Sequence, residues 1–293
     1  MTTTSTTKSL HEKAVLVKLI QHNWSGRKVD RVATAKVAKD FEVKSSRVGT
    51  YRKSLVPREY LKEETEIRRQ AYVYHLTNTL PWMDGGVRMT PVTLLQDYLS
   101  AMRKFEDAHR AAAQKIGQNY TQAVKEGMLL QGKLANAADY PSADNITSRF
   151  GLDIIVMQLP STADWRIDVP KQQLAELKAQ AEKDQQQLQQ DAVKDLYQRL
   201  GDAVSHVEDR LSKEENVFHN SLFKNLKEIV GVVGRLNFVG DPKLEAMRKE
   251  IEAKLAKQTA DVVRADPGLR KKVASDAAAI MKKMQSFMGP AKK

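Results

Sequence analysis

Hydrophobic positions along this chain follow a few clear registers. Residues 13–24, KAVLVKLIQHNW, open with an apolar, β-branched run in which Val15, Val17 and Leu19 alternate with Leu16, Lys18 and Ile20. That pattern predicts a strand near 14–21, buried on one face and partly on the other. LDIIVMQL, over 152–159, predicts a second strand, closed by Pro160. Ser25-Gly26 turns the chain, and Asp84-Gly85-Gly86 is a stronger turn signal that leaves room for a short strand near 87–90.

Helical periodicity dominates elsewhere. Thr90-Pro91 joins a cap residue to a first-turn proline. From there Leu95, Tyr98, Met102, Phe105, Ala108, Ala112, Ile116 and Tyr120 recur three or four residues apart, predicting an amphipathic helix to about Met128. A longer stripe runs from Leu174 and Leu177 through Leu188, Leu196, Val204 and Leu211 to Leu222 and Ile229, with imperfections near Asp184 and Glu214. It predicts a coiled-coil-like helix from near Pro170 to about Val230, on the order of 90 Å long at ~1.5 Å per residue. So narrow a seam needs a cover, and the expected one is the 91–130 helix folded back antiparallel. Residues 29–56 read as short basic helices, Pro57 opens a helix to about Thr79, and Pro81 stops it. Gly231–Gly240 breaks the long pattern, and Asp241-Pro242 and Asp266-Pro267 restart it, the last helix lying near 268–287.

The fold class predicted is α+β, predominantly α: a small sheet, a long antiparallel helical hairpin of coiled-coil character, and a helical C-terminal region. The expected division is a flexible lead over 1–12, an α+β domain over 13–160 that includes the first long helix, the long helix within 161–235, and a basic helical region over 236–293. Any part of the seam left uncovered makes a homo-oligomer the expectation.

Composition narrows the classes of function. The chain is 41% hydrophobic and 29% charged, as an ordered protein is, and its aromatic content of 6% suits long helices with shallow seams. Cysteine is absent. That excludes disulfides, thiol catalysis and cysteine-ligated metal, and it suits a reducing cytoplasm. No apolar run approaches the ~20 residues that span a bilayer, and MTTTSTTKSL lacks the apolar core of a secretory signal. The expected setting is the cytoplasm, away from membranes.

Charge changes the picture most. Residues 1–72 carry 16 Lys and Arg against 8 Asp and Glu, residues 243–293 carry 13 against 6, and the stretch between carries 19 against 22. The net +12 therefore belongs to the two ends. A basic surface attracts polyanions whatever their sequence, which puts nucleic acid first among candidate partners. Val37–Tyr51, VAKDFEVKSSRVGTY, resembles a helix-turn-helix: Ala38 at the tight helix contact, Phe41, Val43 and Val48 in the small core, and Lys44-Ser45-Ser46-Arg47 opening the second helix. Glu42 departs from that pattern, since the turn usually takes glycine, and an ordinary pair of basic helices is the other reading. Candidate phosphate contacts are Lys28, Arg31, Lys36, Lys39, Lys44, Arg47, Arg52 and Lys53, with Tyr51 as a stacking platform. Lys271 and Lys272 mark a second patch.

Catalytic chemistry is thinly provided for. The six histidines are scattered, none at metal-binding spacing from another. Glu63-Glu64, Glu208-Asp209 and Glu214-Glu215 read as polar helix faces, with nothing to place a second carboxylate across a cleft. The expectation is a protein without catalytic residues, bound metal or cofactor.

Four separated blocks, HNWSGRKVDR (22–31), YHLTNTLPWMDGGVRMTP (74–91), YPSADNITSRFGLDI (140–154) and NFVGDPKLEAMRKEI (237–251), occur in order. Together they resemble a family of uncharacterised proteins from tailed phages and related bacterial elements, catalogued as a domain of unknown function. The resemblance runs from about residue 13 to 255 and brings no catalytic or binding residues with it. It implies a phage-encoded protein of the host cell cytoplasm, a setting that favours DNA by association. The function expected is non-enzymatic binding of DNA, single strands included and with weak sequence selectivity, in replication, recombination or transcription control. The alternative is a scaffold, adaptor or oligomeric assembly protein that meets a phage or host protein through its long helices.

Overall fold

The computed structural model describes residues 10–44, 48–160, 169–213 and 215–288. The strands are β1 (Ala14–His22), β2 (Arg27–Val29), β3 (Arg52–Ser54), β4 (Leu80–Met83), β5 (Val87–Pro91) and β6 (Gly151–Gln158). The helices are α1 (Leu10–Lys13), α2 (Arg31–Asp40), α3 (Glu59–Thr77), α4 (Val92–Gln131), α5 (Ala143–Ile146), α6 (Lys171–Leu211), α7 (Ser221–Leu236), α8 (Pro242–Ile251), α9 (Ala260–Ala265) and α10 (Pro267–Met288). Helix accounts for 69% of the structure, so the sheet is the minor element of an α+β fold. Two compact units divide the chain: Met1–Lys18, Leu76–Tyr98 and Val156–Lys293 form the first, Leu19–His75 and Leu99–Ile155 the second. Each draws on separated stretches of sequence, where contiguous domains were expected. Of the expected lead, Leu10 to Glu12 belong to α1 and residues 1–9 lie outside the described residues.

The larger sheet has the order β4-β5-β1-β6. β4 and β5 form an antiparallel hairpin through Asp84-Gly85-Gly86, whose glycines take φ of +79° and +80°, a region closed to most side chains. β5 pairs antiparallel with β1, from Val87 opposite Lys18 to Pro91 opposite Ala14. All three expected strands are present. β4 escaped the sequence reading because Pro81 looks like a helix stop; it sits in an edge strand, where its missing N–H costs no ladder bond.

In the first unit, α6 carries the core. Its buried residues begin at Ala192 and continue through Leu196, Leu200, Val204, Val207 and Leu211. They share one apolar cluster with Leu226 and Val233 of α7, Leu244 and Ile251 of α8, and Val273, Ile280 and Met284 of α10. The cover of the long seam is thus α10 and α7, where the 91–130 helix was expected. α10 suits the role because Val273, Ala277, Ile280 and Met284 recur at helical spacing and are all buried.

The seam is also two helices, not one to Val230. α6 ends at Leu211 and α7 begins at Ser221, with Glu214 outside the described residues. Two arginines account for the break. Arg270 of α10 donates to the carbonyls of Arg210, Leu211, Lys213 and Asn216, and Arg264 of α9 donates to that of Phe218 at 3.0 Å. Carbonyls orphaned at a helix end find guanidinium donors here instead of the next helical turn. Both guanidinium groups also face the buried Phe218 ring, 5.6 and 5.3 Å from its centre.

The second unit packs Ala113, Ile116 and Tyr120 of α4 against Ile146 and Phe150, with Trp24 and Leu61 closing the cluster. Trp24 meets Tyr120 edge-on at 5.7 Å between ring centres. Glu64 of α3 is buried and pairs with Nε2 of His109 at 3.0 Å and Nε of Arg68 at 3.1 Å. Gly127 lets α4 press against the chain after β3: a Cβ there would sit 1.8 Å from the Leu55 carbonyl oxygen. The Tyr140 hydroxyl donates to that same oxygen at 2.7 Å, and Gln131 Nε2 donates to the Ser54 carbonyl at 2.8 Å. This seam anchors the segment that bears the candidate site.

Candidate nucleic-acid interface

The segment between Arg27 and Ser54 is a small two-stranded ribbon that carries one helix. β2 and β3 pair antiparallel, Arg27 with Ser54, Lys28 with Lys53 and Val29 with Arg52. α2 leaves β2 through Asp30, whose Oδ1 accepts from the Ala33 amide at 2.9 Å, a side-chain N-cap. It ends in a Schellman motif, with Val43 N donating to Ala38 O at 2.8 Å and Glu42 N to Lys39 O at 3.2 Å. Glu42 takes φ of +49°, so it adopts the left-handed turn that its residue type disfavours.

Among the described residues no second helix follows before β3. Val48 to Tyr51 are irregular and Arg52 enters β3, because pairing with β2 claims the backbone that a recognition helix would need. Ser45, Ser46 and Arg47 lie outside the described residues. The expected small core is absent as well: Phe41 is 76% exposed and Val48 73%, and α2 buries none of its residues. The helix-turn-helix expectation is therefore corrected to one capped helix on a ribbon.

Beside α2 runs a groove of about 670 Å³. Arg31, Thr34, Ala35 and Ala38 line it from one face of the helix, at i, i+3, i+4 and i+7. Val48 and Tyr51 line it from the segment that follows. Asp40 falls on the opposite side of the helix from that face. Tyr51 is pinned through its backbone: its N–H donates to Thr34 Oγ1 at 3.0 Å and its carbonyl accepts from the Asp30 N–H at 2.9 Å. The side chain is nonetheless 42% exposed, so a fixed backbone presents an open ring.

The candidate cations divide into two classes. Lys53 is withdrawn from any ligand. It is 5% exposed, and its ammonium donates to Asp30 Oδ2 at 2.8 Å, Asp139 Oδ2 at 2.7 Å and the Leu134 carbonyl at 2.6 Å, which uses all three of its protons. Burial pulls its pKa down, but the bonds to Asp139 and Asp30 outweigh that and hold it above the ordinary lysine value. Asp30 is held below the carboxylate range by its cap bond to Ala33 and by Lys53, and Asp139 by Lys28 and Lys53. Lys28 is half-committed, bonded to Asp139 Oδ1 at 2.8 Å. Lys53 is thereby corrected from a phosphate contact to the bolt that fastens the ribbon, while Lys28, 48% exposed, shares the Asp139 carboxylate with it.

Arg31, Lys36, Lys39, Lys44 and Arg52 form the second class. All five are exposed, and none makes an ion pair among the described residues. Arg27 and Arg58, which the sequence reading passed over, are exposed in the same unit. Lys271 and Lys272 are exposed on α10 of the first unit, and Lys271 has an interaction of its own. Asp139 was out of reach of sequence reading, since 86 residues separate it from Lys53 and no spacing rule links them.

Among the described residues, no group of three His, Asp or Glu side chains is placed to hold a metal ion, and no helix is long and apolar enough to cross a membrane. The chain matches none of the protein-family models, curated proteins or solved structures with which it was compared.

Proposed function

We propose that this chain is a non-enzymatic nucleic-acid-binding protein whose contact surface is α2 with Val43, Lys44 and the 48–52 segment. One observation carries the reading: Arg31, Lys36, Lys39, Lys44 and Arg52 stand exposed without acidic partners among the described residues, and Phe41, Val48 and Tyr51 stand exposed among them. Cations not already matched by carboxylates exchange their counterions for phosphate at little cost. A ten-residue helix with no buried residue gains little from the fold around it, and clustered exposed apolar groups mark a surface that meets a partner. Weak sequence selectivity follows from the groove wall, where Thr34 already directs its hydroxyl to the Asp30 carbonyl at 2.6 Å. DNA is the proposed ligand, and replication, recombination or transcription control in a phage-infected cytoplasm is the proposed setting.

An electrophoretic shift series with single- and double-stranded DNA at about 50 and about 200 mM salt tests this. Five phosphate contacts predict an affinity loss of roughly 10²-fold or more between the two salts. Lys36→Glu combined with Arg52→Glu should abolish the shift. Unchanged binding by that variant removes this surface from the function.

The second reading, an assembly or scaffold role, has its own observation. No residue of α6 before Ala192 is buried, although Leu174, Leu177 and Ala181 keep coiled-coil spacing. A second copy of the chain would cover that stripe. Sedimentation velocity at about 0.5 M salt, where the Debye length is only a few Å, would show a dimer that Leu177→Glu dissolves. A monomer under those conditions excludes it.

A further inference from the structure

Two concavities in the second unit share one lining residue. The apolar groove beside α2 ends at Tyr51, and a second hollow of about 370 Å³ begins there, lined by Tyr51, Arg52, Arg58, Leu130 and Gln131. The lining differs in kind. On one side of Tyr51 the wall is mostly Val, Ala and Thr; on the other it carries two guanidinium groups and Leu130, which is 78% exposed. Arg31 and Lys39 add charge along the groove edge, being on or beside its helix face.

From this alternation we infer that the two hollows form one track for a single strand, with Tyr51 as its stacking pivot. Unstacked bases enter the apolar groove, one base lies on the Tyr51 ring, and the phosphates beyond it meet Arg52 and Arg58. The groove falls within the ~300–1,000 Å³ that encloses a small planar group. An aromatic face receives any base, whereas duplex bases are stacked on one another and cannot enter. Because the Tyr51 backbone is bonded at both its N–H and its carbonyl, the direction in which its side chain leaves the chain is set before the ligand arrives, and only the side-chain torsions remain to be ordered on binding. An acidic polypeptide would satisfy the cations but leave the apolar groove and the ring without a matching partner.

This inference rests on the nucleic-acid reading, and fluorescence anisotropy separates the two. The probes are a labelled 16-mer of oligothymidylate, a duplex of equal length, and an abasic 16-mer with the same phosphates; polyglutamate is the competitor. The track predicts that oligothymidylate binds at least about tenfold tighter than duplex or abasic strand, that Tyr51→Ala lowers its affinity by about tenfold without changing duplex affinity, and that Tyr51→Trp preserves it. Tyr51→Ala keeps both backbone bonds, and circular dichroism checks that it folds. If no probe binds at low salt, the nucleic-acid reading fails and takes the track with it. If all three bind alike and Tyr51→Ala binds as the parent does, the track fails alone. Competition by polyglutamate equal to that by oligothymidylate overturns the track in favour of an acidic protein partner.

Discussion

Residues 243–293 and residues 27–53 are both rich in cations, but the first stretch answers more of its own, Lys257, Lys272 and Lys282 excepted among the described residues. In the C-terminal stretch Arg248 bridges Glu245 and Glu252, Lys254 and Lys283 converge on Glu250, Arg264 pairs with Asp261, and Arg270 is bound to backbone carbonyls. In the N-terminal stretch Lys28 and Lys53 are paired, while Arg31, Lys36, Lys39, Lys44 and Arg52 have no ion pair among the described residues. The order of charge along the helix explains part of this, although Arg248–Glu252 forms with the base first. Glu245–Arg248, Glu245–Lys249, Glu250–Lys254 and Asp261–Arg264 all put the acid first, three or four residues before the base, which is the favourable direction. α2 offers Lys36 before Asp40, the weaker direction, and no pair forms there. A surplus of charge is therefore a poor guide to function until the acids that answer it are located.

The comparison can be broken most decisively at Lys53. Lys53→Met leaves two facing carboxylates without their buried cation, and urea unfolding should show a loss of about 3 kcal/mol. A loss as small as that of a surface pair would return Lys53 to the ligand-binding class. Arg270→Ala comes next. It strips a charged donor from the end of α6 and from the Phe218 ring, with an expected cost of about 2 kcal/mol by the same measurement.

A pH series sharpens the contrast further. Asp30 and Asp139 have folded pKa values below the unfolded value of ~3.9. Their contribution is complete above that value and disappears as pH falls through it toward the folded values. The Lys53 value is raised, so its contribution is complete below ~10.4 and declines only as pH rises beyond. Asp139→Asn should flatten the acid limb of the stability curve; an unchanged limb would remove this cluster from acid unfolding. The smallest effects belong to the exposed groups. Lys254→Met should leave the urea midpoint close to the parent's, and Lys36→Glu should do the same while DNA binding falls. A large destabilisation by Lys36→Glu would make α2 a structural element and remove the contrast.

Much of the fold was legible from local pattern. The run at 14–21, the LDIIVMQL strand and the Asp-Pro helix starts appear as read: Asp241 Oδ1 accepts from the amides of Lys243 and Leu244 at 2.8 Å each, and Asp266 Oδ1 from that of Leu269 at 3.0 Å. The site was legible only as a list of charges. Phe41 and Val48 were read as core because apolar residues near a helix are usually buried, and Lys53 was read as a ligand because nothing local marks it as buried. Sequence spacing reports which residues share a helix face. It cannot report which face the rest of the chain covers.

By itself, then, the sequence determined that the chain is mostly helical with a minor sheet, where its helices restart, and that its positive charge gathers at both ends. These depend on neighbours within a few residues, through periodicity, caps and turns. Only the tertiary structure decided that α10 rather than the 91–130 helix covers the long seam, that Arg270 and Arg264 divide that seam in two, and that Asp139 takes Lys53 out of the surface. Burial and ion pairing depend on distances across space, and residues 86 positions apart carry no local sign that they will meet.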